Sequence, residues 1–229
     1  MFGGVIMFAI NSKDEPLFSP DWESRLALVN VVQTRFIGSG DREFFKKLID
    51  NKEFIILHVV CSGWGGTKFE PGIPDTEATH KGVKMIADMG FPVNQMVLSL
   101  SPLFVNNNGL KRAISTLDQF RDTGISRVRY SRFSLTRKSR ERFLDKFNAI
   151  PKNNEMDLDA YFRSYGYYRF SNDLLGQTDL ATLGYSDLYD KEQSPVVELI
   201  TRDTNCKGGC LYCEKCNSNH KYQYSRFVQ

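Results

Sequence analysis

Apolar residues in this chain alternate between two patterns. Short unbroken runs are separated by longer stretches in which apolar positions recur every three or four residues. The clearest run is FIILHVVC at 54–61. Its near-continuous apolar character predicts a strand buried on both faces of a parallel sheet. Residues 5–10, 93–101, 125–131 and 196–200 share the short, β-prone character. Between them lie helical patterns. Residues 41–50 carry Phe44, Phe45 and Leu48 on one face. A second helix runs from an N-cap at Asp75 to about Met89 and stops at Gly90. Residues 108–123 place Leu110, Ala113, Ile114, Leu117 and Phe120 together, and a fourth helix covers 136–150. Three successive strand–helix units, spaced by about 35 residues, predict a parallel sheet with helices outside. The expected fold is α/β, a partial or complete parallel (β/α) barrel, with a doubly wound sheet as the alternative.

The pattern weakens after residue 150. Residues 151–195 hold six of the ten tyrosines (Tyr161, Tyr165, Tyr167, Tyr168, Tyr185 and Tyr189), with a short helix over 157–165. Aromatic packing of an excursion against the core accounts for such a composition. Residues 201–229 form a cysteine-rich loop and tail. One domain spanning 1–229 is expected, since a chain of this length buries a sizeable core unaided.

A net charge of +3 is too small to imply a nucleic-acid partner by itself. No run reaches the roughly 18 apolar residues of a membrane span. The opening MFGGVIMFAI has no basic n-region and is interrupted at 11–15, which argues against a signal peptide. A cytoplasmic, reducing location is expected, where crowded cysteines bind metal or act in catalysis.

Four of the five cysteines lie in NCKGGCLYCEKC, at Cys206, Cys210, Cys213 and Cys216. A disulfide framework fits poorly, because only Cys61 is distant from the group. Structural zinc usually draws on two separated knuckles, whereas these thiols share one compact loop. An iron–sulfur cube is wider, and short spacings reach its corners. Zinc remains the alternative. Lys207 and Lys215 would offset negative charge on a cluster, although lysines at such positions are more often simply solvated.

Cys206-Lys-Gly-Gly-Cys210-Leu-Tyr-Cys213 resembles the motif of the radical S-adenosylmethionine (SAM) superfamily, with Tyr212 in its aromatic slot. The resemblance implies a 4Fe–4S cluster on Cys206, Cys210 and Cys213, with one iron left to chelate SAM. It further implies reductive cleavage to a 5′-deoxyadenosyl radical that abstracts hydrogen from a substrate. An electron donor such as flavodoxin or ferredoxin would serve it. Cys216 is a candidate fourth ligand, which would close the site. The superfamily motif normally stands near the N-terminal end of the barrel, and here it follows the last strand. A narrower resemblance accommodates that position. An uncharacterised bacterial and viral domain-of-unknown-function family, distantly similar to spore photoproduct lyase, carries such cysteines at its C-terminus. VIMFAINSKDEP at 5–16 and GWGGTKFEPGIP at 63–74 resemble two of its loops. Where that family has Arg and Asp before a proline, this chain has Ser99 and Ser101 before Pro102.

By the same resemblance Gly65, Gly66 and Thr67 contact SAM, with Glu70 on a ribose hydroxyl or the methionine ammonium. A tight turn explains the glycines equally well. Cys61, if it faces the barrel mouth, is a candidate hydrogen-atom donor; a lone cysteine on an apolar strand is more often just buried. His58 is a weaker candidate. Residues 126–146 carry eight Lys or Arg against two acids, interleaved with aromatics. Such a stretch suits a nucleotide or nucleic acid, and it also suits the solvated face of a helix. Arg129, Tyr130 and Arg132 are its candidate contacts.

Overall fold

The computed structural model describes residues 15–18 and 31–166, together with the backbone of short strands at 8–11, 170–171 and 196–199. Among the described residues there are seven strands: β1 (Phe8–Asn11), β2 (Val31–Thr34), β3 (Ile56–Val60), β4 (Met96–Leu103), β5 (Val128–Arg132), β6 (Phe170–Ser171) and β7 (Val196–Leu199). Five described helices accompany them: α1 (Arg42–Asp50), α2 (Thr76–Asp88), α3 (Asn107–Gln119), α4 (Arg137–Phe147) and α5 (Leu158–Ser164). The centre of the fold is the four-stranded parallel sheet β2–β5, its strands alternating with helices. Short strands extend it, giving the order β6-β5-β4-β3-β2-β1-β7.

Four expected helices form within a few residues of their predicted bounds, because their caps are local. The Asp41 side chain accepts from Phe44 N, and that of Asp75 from Ala78 N. Asn106 does the same for Gly109 N, and Thr136 closes a capping box with Ser139. The strands shift more. β4 starts at Met96, since Val93–Gln95 forms a 3-10 turn after Pro92. It runs on to Leu103, with a register shift against β5 between Leu100 and Leu103. Pro102 has no N–H for the ladder, which explains an irregularity there. β2 was not expected, as four residues ending in Gln33 and Thr34 carry too little apolar signal.

Alternation along the strands divides the sheet into unlike faces. Val32, Leu57, Val59, Cys61, Met96, Leu98, Leu100, Val128 and Tyr130 join one core cluster. That cluster includes Phe44, Phe45 and Leu48 of α1, Val83 and Ile86 of α2, Leu110 and Leu117 of α3, and Phe162 of α5. The residues between them, Gln33, His58, Val60, Val97, Ser99 and Arg129, belong to the opposite face. The described helices with residues in this cluster therefore pack on one side. A sheet wound in one direction by right-handed crossovers gives that result; a doubly wound sheet needs helices on both sides. Among the described residues no helix is long and apolar enough to cross a membrane.

At the amino edge the buried Gln95 amide donates to the carbonyls of Lys52 and Ile55, the latter at 2.9 Å, tying β3 to β4. Gln95→Leu strands these carbonyls. It is expected to lower unfolding free energy by about 2 kcal/mol in urea titrations.

Candidate functional site

Parallel strands deliver all their carboxyl ends to one edge, and loops there carry the polar side chains. Arg35 follows β2 directly. Its Nη1 donates to Glu70 Oε1 at 3.1 Å and to the Ser101 carbonyl of β4 at 3.0 Å. The other oxygen of Glu70 accepts from Ser62, whose Oγ in turn accepts from Trp64 N at 3.0 Å. One guanidinium thus joins β2, the loop after β3, and β4. Glu70 is fully buried, while Arg35 keeps 23% of its side chain exposed. Burial raises the Glu70 pKa; Arg35, and then the Ser62 hydrogen bond, pull it back.

Glu15 lies on the other side of Arg35. It accepts from Thr34 Oγ1 and from Arg35 N, the latter at 3.0 Å. Burial pushes its carboxyl up to about 7, against the opposing pull of Thr34 and Arg35.

The loop 63–74 is fixed by its own contacts. Gly66 N donates to the Glu70 and Ile73 carbonyls at 3.1 and 2.9 Å, and Thr67 N to the Trp64 carbonyl at 3.1 Å. A Cβ on Gly65 would stand 1.9 Å from the Pro74 carbonyl oxygen, and Gly66 has φ +71°. Tight turning and close packing therefore account for both glycines. The Arg112 guanidinium lies 4.3 Å over the Trp64 ring and donates to the Gly63 carbonyl at 2.8 Å. Phe69 stacks on Phe147 of α4 at 5.0 Å.

The predicted residues separate. Gly65, Gly66, Thr67 and Glu70 share this loop, but Glu70 has both oxygens occupied and holds the loop to Arg35. Cys61 belongs to the core on the helix side, not to a mouth. It is 5% exposed, its Sγ lies 3.9 Å from Thr76 Oγ1, and burial raises its thiol to about 11. The three candidate nucleic-acid contacts point apart. Tyr130 turns into the core and donates to Asp159 at 3.0 Å. Arg132 is exposed and donates to the Met156 carbonyl at 2.8 Å. Arg129 alone lies on the face away from the helices. Tyr130 and Arg129 could not both face one pocket, because neighbours on a strand point oppositely. On α4, Arg137, Lys138, Arg140 and Lys146 are exposed. Cys206, Cys210, Tyr212, Cys213 and Cys216 lie outside the described residues. Among the described ones, no group of three His, Cys, Asp or Glu could hold a metal ion.

The sheet face opposite the helices carries a second polar group. His58 and Ser99 are 1% and 0% exposed. Among the described residues neither His58 nitrogen, nor Ser99 Oγ, nor Arg129 Nε has a hydrogen-bond partner. Burial lowers the His58 pKa to about 3, helped by the positive charges of Arg129 and Arg127. Sequence reading missed Arg35, Ser62 and Glu15. Their only signal was position, each close to the carboxyl end of a strand.

No family model matches the chain, and no curated protein matches it.

Arg35→Met leaves a buried carboxylate without its counter-charge, so a loss of about 3–5 kcal/mol is expected. Arg35→Met/Glu70→Gln should cost clearly less than the two single changes added together. Urea unfolding of the four proteins measures the coupling. Glu15 generates a pH effect of opposite sense to a salt-bridged acid. Its folded pKa of about 7 exceeds the ordinary carboxyl value of 4.5. Native protein therefore holds a proton that unfolded chain releases, and this stability is lost as pH rises from 4.5 through 7. The limit is about 3 kcal/mol. Unfolding free energies at pH 5 and pH 8 should fall less in Glu15→Gln than in the parent.

Proposed function

We propose that this protein is a radical SAM-type iron–sulfur enzyme on a parallel (β/α)-barrel-like sheet. The observation that carries the reading is the Cys206, Cys210, Cys213 spacing with Tyr212, beginning seven positions after the end of β7. β7 runs parallel to β1. A chain leaving its carboxyl end emerges at the edge that bears Arg35, the 63–74 loop and Ser101. The strand order supports the barrel. The two end strands, β6 and β7, are consecutive in sequence, and closure would bring them together.

Three soft thiols within eight residues, relieved by Gly208 and Gly209, suit a 4Fe–4S cluster. When bound, that cluster supplies an electron to the SAM sulfonium and so a radical able to take hydrogen from a substrate. Cys206, Cys210 and Cys213 would hold it, with Tyr212 in the aromatic slot of the motif. The Gly65, Gly66 and Thr67 backbone forms a rigid wall for SAM, three strand spacings from β7. Glu70 positions that wall through Arg35 rather than touching SAM. Cys61 keeps its proton in the core and takes no step. A flavodoxin or ferredoxin supplies electrons, and a nucleotide or nucleic acid is the substrate class.

The alternative is a non-enzymatic protein with zinc or a closed cluster on all four cysteines, binding nucleic acid through the basic stretch. Cys216 is the feature that favours it. Anaerobic reconstitution separates the two. The expected protein is brown, holds about four irons, and releases 5′-deoxyadenosine from SAM under reduction. Cys216→Ala should keep its iron and Cys210→Ala should lose it. One zinc in a colourless protein, or iron with no 5′-deoxyadenosine, defeats the enzyme reading.

A further inference from the structure

The unpartnered groups on the inner face are held together by register. His58 stands opposite Val97, and Ser99 stands between Val60 and Arg129. They therefore occupy two adjacent rows on three neighbouring strands, β3, β4 and β5. With strands about 4.8 Å apart, the group spans roughly 10 Å. Buried polar atoms in folded proteins are ordinarily paired, so a cluster of them marks a place where something else supplies the partners.

Water is the simplest filler, and it would satisfy a hydroxyl and an imidazole. It would not neutralise a guanidinium. Among the described residues Arg129 makes no ion pair, and the carboxylate of Glu70 is committed to Arg35 and Ser62. His58 is neutral, so it offers one ring N–H as donor and adds no charge of its own. The missing partner is thus an anion. A carboxylate is satisfied by one guanidinium fork. Three donors on three strands suit an anion with more oxygens, reached from several directions.

We propose that the inner face of the sheet binds a phosphate group of the substrate, held by Arg129, Ser99 and His58. The inference rests on the reading of this face as the substrate side of the enzyme, but binding is measured without SAM or reductant. It narrows the substrate class to a phosphorylated molecule, and it assigns the basic stretch one inward-facing residue rather than a continuous surface.

The test uses the full chain, purified anaerobically, with three probes: inorganic phosphate, a 5′-mononucleotide and the matching nucleoside. Binding is read by calorimetry and by the rise in Tm. Phosphate and the mononucleotide should both bind, and the nucleoside should not. A tighter mononucleotide identifies an ester as the ligand, and equal affinity identifies the phosphate alone. Arg129→Gln should weaken phosphate binding at least tenfold and abolish the rise in Tm. Without phosphate its Tm should equal or exceed that of the parent, because a half-buried charge with no ion pair among the described residues has gone. A purely structural arginine would lower it. Ser99→Ala is a smaller change that keeps the test open if Arg129→Gln folds poorly; it should weaken binding severalfold. Two results overturn the proposal: no binding of phosphate or mononucleotide by the parent, or unchanged affinity in both variants. Either can occur while SAM cleavage persists, and phosphate can bind where SAM cleavage fails.

Discussion

The buried pair of Arg35 and Glu70 is the constraint around which the carboxyl edge is arranged. A carboxylate with no exposed surface is costly unless its oxygens are met. Here one oxygen takes Arg35 and the other takes Ser62. The same guanidinium reaches the Ser101 carbonyl. Removing any of these groups would leave a charged atom inside the protein, so three chain segments are held in one arrangement. The loop between them has further reasons to stay closed. Gly65 admits the Pro74 carbonyl, and Phe69 and Trp64 pack among the rings of Phe104, Phe143 and Phe147. An edge so constrained is a preorganised surface, which is what binding or catalysis needs from a scaffold.

The two faces of the sheet obey different chemistry. On the helix side, alternate residues are aliphatic or aromatic and buried against α1, α2, α3 and α5. On the other side the sequence of positions reads Gln33, His58, Ser99, Arg129. A strand buried on both faces needs apolar residues at every position unless one face meets something polar. The run 54–61 satisfies the rule at all positions except His58, and that exception is informative. Burial and two guanidiniums keep the ring neutral. Its lack of any hydrogen bond makes it a poor structural residue and a reasonable ligand contact.

Much of the fold was legible because its signals are local. Caps at Asp41, Asp75, Asn106 and Thr136 set helix starts, and apolar runs gave three of the four central strands. β2 was not legible, since its only apolar residues are Val31 and Val32. With it went Arg35, whose role depends on partners 35 and 66 positions away. Orientation was also hidden. Cys61 and Glu70 sit nine residues apart, yet one turns to the helices and the other to Arg35. Tyr130 and Arg129 diverge for the simpler reason of strand alternation. The cysteines are the reverse case: their spacing is an explicit chemical signal in the sequence, and they lie outside the described residues.

These threads bear on where chemistry would happen. The carboxyl ends of β7 and β3 lie at the same edge, because the paired strands run parallel; under the proposed reading the thiols would follow the first and the 63–74 loop follows the second. β1 and β2 separate them, and β2 ends in Arg35. A ligand bridging the thiols and the loop must therefore cross above Arg35 and Glu15. Both carry hydrogen-bonded, largely buried groups rather than free charges. The uncompensated positive charge of Arg129 lies beyond, on the inner face under β4 and β5. A cofactor held at the edge and an anionic group held within would thus approach each other from different strands. Under the proposed reading, that separation would let one sheet bind two molecules without either competing for the Arg35–Glu70 pair that keeps the edge in place.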